Sequence, residues 1–111
     1  MDRQIYLLHF AEPYKQARHY LGSSDNVPER IRDHMTGKGA RLTSIVAGKG
    51  IGMELVRVWN GSRQDERKLK NQKNSPQLCP ICNSKLHISA EEQEVVREYK
   101  RAIEKHKRRV E

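Results

Sequence analysis

Two short β-type segments followed at once by a helix start constrain the fold of this chain most. Residues 4–10 are rich in β-branched, aromatic and aliphatic side chains, and residues 17–22 alternate in polarity before ending at a glycine. Pro13 lies in the stretch that separates the two segments. The pattern predicts a β-hairpin whose strands are joined by a long loop.

A helix is predicted immediately after this hairpin. Asn26 is a suitable N-cap, Pro28 would occupy the first turn, and Glu29 would complete a capping box. Ile31 would then face the core. Arg30 and His34 are four residues apart, so they would lie on one helix face, where both could reach a single phosphate.

The middle of the chain predicts three further elements. Residues 40–47 favour a short helix, and residues 53–59 alternate as a third strand. Ser62 is the N-cap expected to open another helix, which carries Glu66 and packs through Leu69. The predicted fold class is therefore α/β in the α+β sense: a small three-stranded antiparallel sheet flanked by helices, with a C-terminal helical tail.

The C-terminal stretch predicts one amphipathic basic helix. A capping box begins at Ser89, acidic residues fill the first turn and basic residues the last. A stripe recurs at spacings of three and four: Val96, Tyr99, Ile103, His106 and Val110. This stripe is expected to dock on the preceding domain or to pair two chains as a homodimer, and the basic side chains beside it could equally lie along DNA.

Composition indicates a single domain that binds a polyanion. The chain has 111 residues, of which 35% are hydrophobic, and 22 lysines and arginines against 14 acidic residues give a net charge of +8. Such a surface favours nucleic acid. No apolar run is long enough for a membrane span or a signal peptide, so a cytoplasmic protein is expected. The predicted organisation is a first domain (1–74), a linker (75–88) and the helical tail (89–111).

A Cys-x-x-Cys pair within the linker forms half of a zinc motif. Cys79 and Cys82 are separated by two residues, and a structural zinc site needs four ligands. His87 is the candidate third ligand, and His106 or a residue of a second subunit could be the fourth. The alternative is a pair of reduced cysteines in a turn, since a disulfide is not expected in the cytoplasm.

The order of the residues around the hairpin resembles the GIY-YIG nuclease family. Ile5-Tyr6 is similar to the end of the first family motif and Tyr20-Leu21-Gly22 to the second. Arg30 and His34 resemble the helix pair of the family, and Glu66 resembles its metal-binding glutamate. The chain departs from the family at Gln4, where the first motif has a glycine, and the hairpin is longer than usual.

The resemblance implies an Mg²⁺- or Mn²⁺-dependent DNA endonuclease that leaves a 5′-phosphate and a 3′-hydroxyl. Glu66 would bind the metal ion, Arg30 a phosphate oxygen, and Tyr6 would activate water, with His34 as the rival base. The implied catalytic set is Tyr6, Tyr20, Arg30, His34, Glu66 and Asn74. A basic rim is expected to contact DNA at Lys38, Arg41, Lys49 and Lys70.

Each candidate also has an ordinary structural interpretation. The tyrosines could be half-buried strand aromatics, Arg30 and His34 a solvated helix face, and Glu66 an exposed carboxylate. Their joint order favours the nuclease. Two other functions stay open: a non-catalytic nucleic-acid-binding module with a zinc-knuckle-like element, and a small interaction protein that uses the C-terminal stripe.

Overall fold

The computed structural model describes residues 3–110, with side chains described up to residue 105. A three-stranded antiparallel sheet in the order β2-β1-β3 is flanked by helices, which confirms the predicted fold class. The elements are β1 (Gln4–Tyr14), β2 (Ala17–Ser24), α1 (Val27–Met35), α2 (Arg41–Gly48), β3 (Met53–Asn60), α3 (Arg63–Gln72), α4 (Ser75–Leu78) and α5 (Ala90–Val110). Two members of the predicted stripe, His106 and Val110, have side chains that lie outside the described residues. The prediction that His106 is a zinc ligand therefore also lies outside them.

The β1–β2 hairpin is tighter than its sequence predicts. Tyr14 pairs with Ala17, so only two residues form the turn, and the first of them, Lys15, has a positive φ of 54°. The prediction of a long loop between the two strands is therefore wrong. Pro13 is tolerated in β1 because β3 pairs only as far as Phe10, which leaves the hairpin tip exposed, where a missing N–H breaks no central ladder.

The central strand β1 is apolar on both faces because helices cover both. Tyr6 and Leu8 pack with α1, α5 and part of β3 in one hydrophobic cluster, whereas Ile5 and Leu7 pack in a second cluster on the opposite face. The second cluster also contains Cys79 and receives partly buried leucines from α3 and α4. A continuous buried run from residue 5 to residue 10 follows from this two-sided cover.

The predicted N-caps of α1 and α3 are confirmed, but the capping box predicted for α1 is not formed, because Asn26 N donates to Ser24 Oγ and Glu29 accepts from the side-chain amide of Asn26 instead. Asn26 Oδ1 accepts a hydrogen bond from Glu29 N at 3.4 Å, and a proline occupies the first turn. Ser62 Oγ accepts from Asp65 N at 3.1 Å, and Asp65 accepts in return from Ser62 N at 2.9 Å. Each N-terminus therefore has part of its unpaired N–H groups satisfied locally. Ile31 is fully buried, as its spacing predicts.

Helix α5 docks on its own chain. Val96 and Ile103 are buried in the first cluster and Tyr99 packs against it, so the docking alternative for the stripe is confirmed for these residues. Tyr99 Oη also donates a hydrogen bond to Gln4 Oε1 at 2.6 Å. Gln4, the residue that departs from the family motif, thus holds the C-terminal helix. A homodimer through α5 stays a prediction.

The segment after α3 contacts the sheet at Leu78 and Cys79. Arg57 of β3 donates to Leu78 O at 3.2 Å and to Glu92 Oε1 at 3.0 Å, so one guanidinium joins the end of α4 to the start of α5. Cys79, one residue further, is fully buried. No helix of the described residues is long and apolar enough to cross a membrane.

Candidate active site and metal centre

A polar pocket of about 340 Å³ opens beside the outer strand β2. It brings together four of the predicted catalytic residues, and it is lined by Arg3, Tyr6, Tyr20, Ser23, Ser24, Arg30, Arg63 and Glu66. A larger cavity of about 680 Å³ lies between α5 and the start of β3, but its walls are mainly apolar and none of these residues lines it. Phosphate chemistry needs charged and hydrogen-bonding groups, so the smaller pocket is the candidate site.

The two tyrosines approach each other across the β1–β2 pairing. Their ring centroids are 6.3 Å apart, and Tyr6 pairs in register with Gly22. A Cβ atom at position 22 would collide with the hydroxyl and ring of Tyr6 and with the ring of Tyr20. Glycine therefore follows the Tyr20-Leu21 pair because the phenol of Tyr6 occupies the space that a side chain would need.

His34 lies directly behind Tyr6. The Tyr6 hydroxyl is 2.6 Å from His34 Nε2, and His34 Nδ1 is 2.6 Å from Thr43 Oγ1. Thr43 donates its own hydroxyl proton to Ala40 O at 2.9 Å, so it accepts from the Nδ1–H of His34. This chain of donors assigns Nε2 as the acceptor for the Tyr6 phenol.

Burial keeps both partners of this hydrogen bond neutral. It raises the pKa of Tyr6 far above its ordinary value, with a further contribution from the nearby Tyr20. Burial also lowers the pKa of His34 to about 4, assisted by the positive charge of Arg30. At neutral pH the pair is therefore a phenol donating to a neutral imidazole. His34 is fully buried, whereas Arg30 lines the pocket, so the two do not face a ligand side by side.

Glu66 enters the pocket from the first turn of α3 as a carboxylate. Ser23 Oγ donates to its Oε1, and Lys70 Nζ lies 3.0 Å from its Oε2. Burial opposes ionisation of this group, but the hydrogen bonds from Ser23 and Lys70, with the charge of Arg3, outweigh burial and lower the pKa of Glu66. An ionised carboxylate at this place is a hard oxygen donor suited to Mg²⁺.

The remaining predicted site residues lie away from the pocket walls. Asn74 is the N-cap of α4, and its Oδ1 is buried without a hydrogen-bond partner among the described residues. Lys38, Arg41 and Lys49 are exposed on and around α2. Lys70 is the one member of the predicted basic rim that contacts the site, where its Nζ pairs with Glu66 and lies 5.2 Å from the centroid of the Tyr20 ring.

A second group of side chains, the His/Cys cluster, could hold a metal ion. It consists of His9, His19, Cys79 and Cys82, whose donor atoms all lie within 4.8 Å of one another. His9 is on β1, its cross-strand partner His19 is on β2, and both cysteines follow α4. His87, the predicted third zinc ligand, is not a member of this cluster.

Several site residues were missed in the sequence because their signals are weak or distant. His9 and His19 become partners only through the hairpin register, and their contacts with the cysteines join residues 63 to 73 positions apart in the chain. Arg63 had a usable local signal, since it precedes Glu66 by three positions on α3 and shares its face. No local pattern marks Thr43 as the partner of His34.

Comparisons of the chain with models of known protein families, with curated proteins and with solved structures find no match. The site is therefore defined by its own geometry. That geometry is a cationic, polar pocket with one ionised carboxylate and a phenol hydrogen-bonded to a buried imidazole. The described part of the chain also contains a separate His/Cys cluster able to bind a metal ion.

Acidification is expected to destabilise the protein through His34. Its pKa is lowered from 6.5 to about 4 on folding, so the unfolded chain takes up the proton first as pH falls. The stability that neutral His34 contributes is complete above pH 6.5 and is lost as pH falls toward 4, by roughly 3 kcal/mol at most. Urea unfolding at several pH values measures this loss.

His34→Gln isolates that contribution, because glutamine can still accept from Tyr6 and donate to Thr43. All other residues are the same in both proteins, so their contributions cancel in the difference between them. The variant should lose less stability than the wild type over this pH range. Equal losses in the two proteins would contradict the assignment.

Proposed function

We propose that the protein is a metal-dependent DNA endonuclease that hydrolyses phosphodiester bonds. The observation that carries the proposal is the single pocket in which Tyr6, Tyr20, Arg30 and the ionised Glu66 converge. The resemblance of these residues to the GIY-YIG nuclease motifs supports the same activity. Mg²⁺, or Mn²⁺ in its place, is the proposed cofactor.

Cationic side chains in and around the pocket account for phosphate binding. Arg30, Arg63 and Arg3 line it, and each guanidinium can donate two parallel hydrogen bonds to phosphate oxygens. Glu66 is the proposed ligand of the Mg²⁺ ion. When bound there, the ion would supply positive charge to the phosphoryl oxygens as negative charge develops on them. The guanidinium groups that line the pocket would stabilise the same charge.

The proton of the attacking water can be taken by Tyr6 and His34 acting together. Because the pKa of Tyr6 is raised, no standing phenolate is present at neutral pH. The phenol oxygen would accept the proton of water while the phenolic proton moves to His34 Nε2, 2.6 Å away. The negative phosphate favours the resulting imidazolium, and Thr43 holds the Nδ1–H throughout.

DNA is the proposed partner, and zinc is the proposed metal of the His/Cys cluster. A net charge of +8 favours association with phosphates, and Lys38, Arg41 and Lys49 are exposed to extend the contact. Two thiolates and two imidazoles are the donor types that select Zn²⁺. Free thiols agree with a reducing compartment, so a cytoplasmic location is part of the proposal.

The complete set of metal donors favours one rival function, a nucleic-acid-binding module without catalysis. In that case the basic surface and the metal centre would bind nucleic acid, and the tyrosine pocket would be a remnant. The two functions differ in their need for a divalent ion. Binding needs only cationic residues and weakens with salt, whereas cleavage also requires the ion at Glu66.

Incubation with supercoiled plasmid tests the proposal. Nicked or linear plasmid is expected with Mg²⁺ or Mn²⁺ and not with Ca²⁺, whose larger and more variable coordination fits the site poorly for catalysis. Ca²⁺ is a better control than EDTA because a chelator would also strip the His/Cys cluster. A salt-sensitive gel shift without cutting, with every metal, would support the binding module instead.

A further inference from the structure

We propose that the His/Cys cluster is a closed structural zinc site that fastens the segment after α3 to the hairpin, and thereby fixes the helix that carries Glu66. The site itself stands on its donor geometry alone. Its consequence for cleavage rests on the proposed nuclease function.

The distances between donor atoms fit a tetrahedron around zinc. With Zn–N near 2.05 Å and Zn–S near 2.3 Å, tetrahedral angles place two nitrogens about 3.3 Å apart and a nitrogen and a sulfur about 3.6 Å apart. His9 Nδ1 and His19 Nε2 are 3.4 Å apart. Cys79 Sγ lies 3.5 Å and Cys82 Sγ 3.8 Å from His9 Nδ1, and Cys82 Sγ lies 3.5 Å from His19 Nε2.

Hydrogen bonding alone does not account for this arrangement. His9 Nδ1 has three donor or acceptor atoms as neighbours between 3.4 and 3.8 Å. One ring nitrogen makes one good hydrogen bond, and nitrogen–nitrogen contacts of this length are long for such bonds. Four lone-pair atoms directed at a common centre are what a bound cation requires. The side chains are therefore placed as the ligands of a bound cation would be.

The donor set is complete within one chain, which indicates a structural rather than a catalytic site. Two imidazoles and two thiols already supply the four ligands of tetrahedral zinc, and no position is left for water or substrate. Cys79 is fully buried in the second hydrophobic cluster, and only Cys82 is exposed. Zinc bound there would have no free coordination position for water or substrate.

The link to Glu66 runs through α3. None of its described side chains is buried, so packing holds this helix weakly. Its first turn is fixed by the Ser62 capping box, and Leu69 contacts the same hydrophobic cluster as Cys79. Zinc at Cys79 and Cys82 would fasten the chain beyond the far end of α3 to His9 and His19. Both ends of the helix would then be held against the sheet.

Metal analysis of the purified full chain tests the site. We expect about one zinc per chain, and Co²⁺ exchange should give the strong visible absorption of tetrahedral cobalt together with thiolate-to-metal charge transfer. Cys82→Ser and His19→Gln should each lower zinc affinity at least about tenfold. His87→Gln, which alters an exposed histidine outside the cluster, should keep the zinc. Zinc-free wild type, or a disulfide between the two cysteines, would overturn the proposal.

Hydrogen exchange tests the fastening of α3. Removing zinc should speed amide exchange in residues 63–72 about tenfold or more, while the buried-core helix α1 changes little. Re-addition of zinc should restore protection in the wild type and not in Cys82→Ser. Equal exchange of α3 with and without zinc would overturn the proposed role, even if the metal is bound.

These readouts separate the inference from the nuclease proposal. If zinc is bound and protects α3 but no plasmid is cut under any metal, the structural site stands and the nuclease proposal fails. If plasmid is cut by a protein that holds no zinc, the nuclease stands and the inference fails. If both stand, the zinc-free protein should cut more slowly at equal Mg²⁺.

Discussion

Glu66→Gln is expected to reduce Mg²⁺-dependent plasmid cleavage about a thousandfold while DNA binding stays within a few fold. A factor of 10³ corresponds to about 4 kcal/mol of transition-state stabilisation, the scale of several kcal/mol that a divalent ion supplies. Glutamine retains the shape of the side chain and one oxygen, which can still accept from Ser23, while its amide nitrogen replaces the oxygen that pairs with Lys70. It removes the negative charge that would bind the cation. Initial cleavage rates over a series of Mg²⁺ concentrations measure the effect.

The form of the loss identifies its cause. If Glu66 binds the metal, raising Mg²⁺ should recover part of the activity of the variant, since affinity for the ion is what has fallen. Glu98→Gln, which changes an exposed carboxylate of α5 that does not line the pocket, is the matched control and should cut like the wild type. Unchanged cleavage by Glu66→Gln would remove this carboxylate from the mechanism. Loss of folding is checked by circular dichroism.

The fold could be predicted from the sequence where its signals are local. Asn26 and Ser62 act within a few residues, so the starts of α1 and α3 follow from nearest neighbours. The second strand was predicted to end at Gly22, but it continues to Ser24 because its pairing with β1 extends that far. The hairpin length did not follow, because Tyr14 and Ala17 are paired by the turn at Lys15, which needs a positive φ that the sequence does not mark.

Some residues of the site could likewise be predicted from the sequence, and others could not. The sequence grouped Tyr6, Tyr20, Arg30 and Glu66 as one set, and all four line the same pocket. The burial of His34 does not follow from its helix spacing, since it depends on Thr43 and on the close approach of Gly39, where a Cβ would strike the imidazole. The grouping of the four metal ligands depends on contacts between residues that are far apart in the sequence. Cys-x-x-Cys indicated a metal, but its partners His9 and His19 lie on the hairpin, far from His87 in the order of the chain.

Tyr6→Phe is expected to lower the cleavage rate by about 10²–10⁴, the range that general acid–base catalysis contributes. Phenylalanine preserves the ring that packs in the first hydrophobic cluster, but it removes the oxygen that receives the proton of water and donates to His34 Nε2. The buried imidazole then lacks its donor, which costs about 1–3 kcal/mol of folding stability. Cleavage rates and urea unfolding measure the two effects separately.

Tyr14→Phe is the matched control, because Tyr14 lies near the hairpin tip and outside the pocket, so both its rate and its stability should stay close to those of the wild type. The double variant Tyr6→Phe/His34→Gln decides whether the two residues act as one relay. If the phenol works by passing its proton to His34, the second substitution should add little to the first. The first substitution already removes the proton transfer in which both residues take part. Losses that multiply would mean that Tyr6 and His34 act separately, with Tyr6 only positioning the water. Such a result would leave the Glu66 metal site intact and would reject the proton relay.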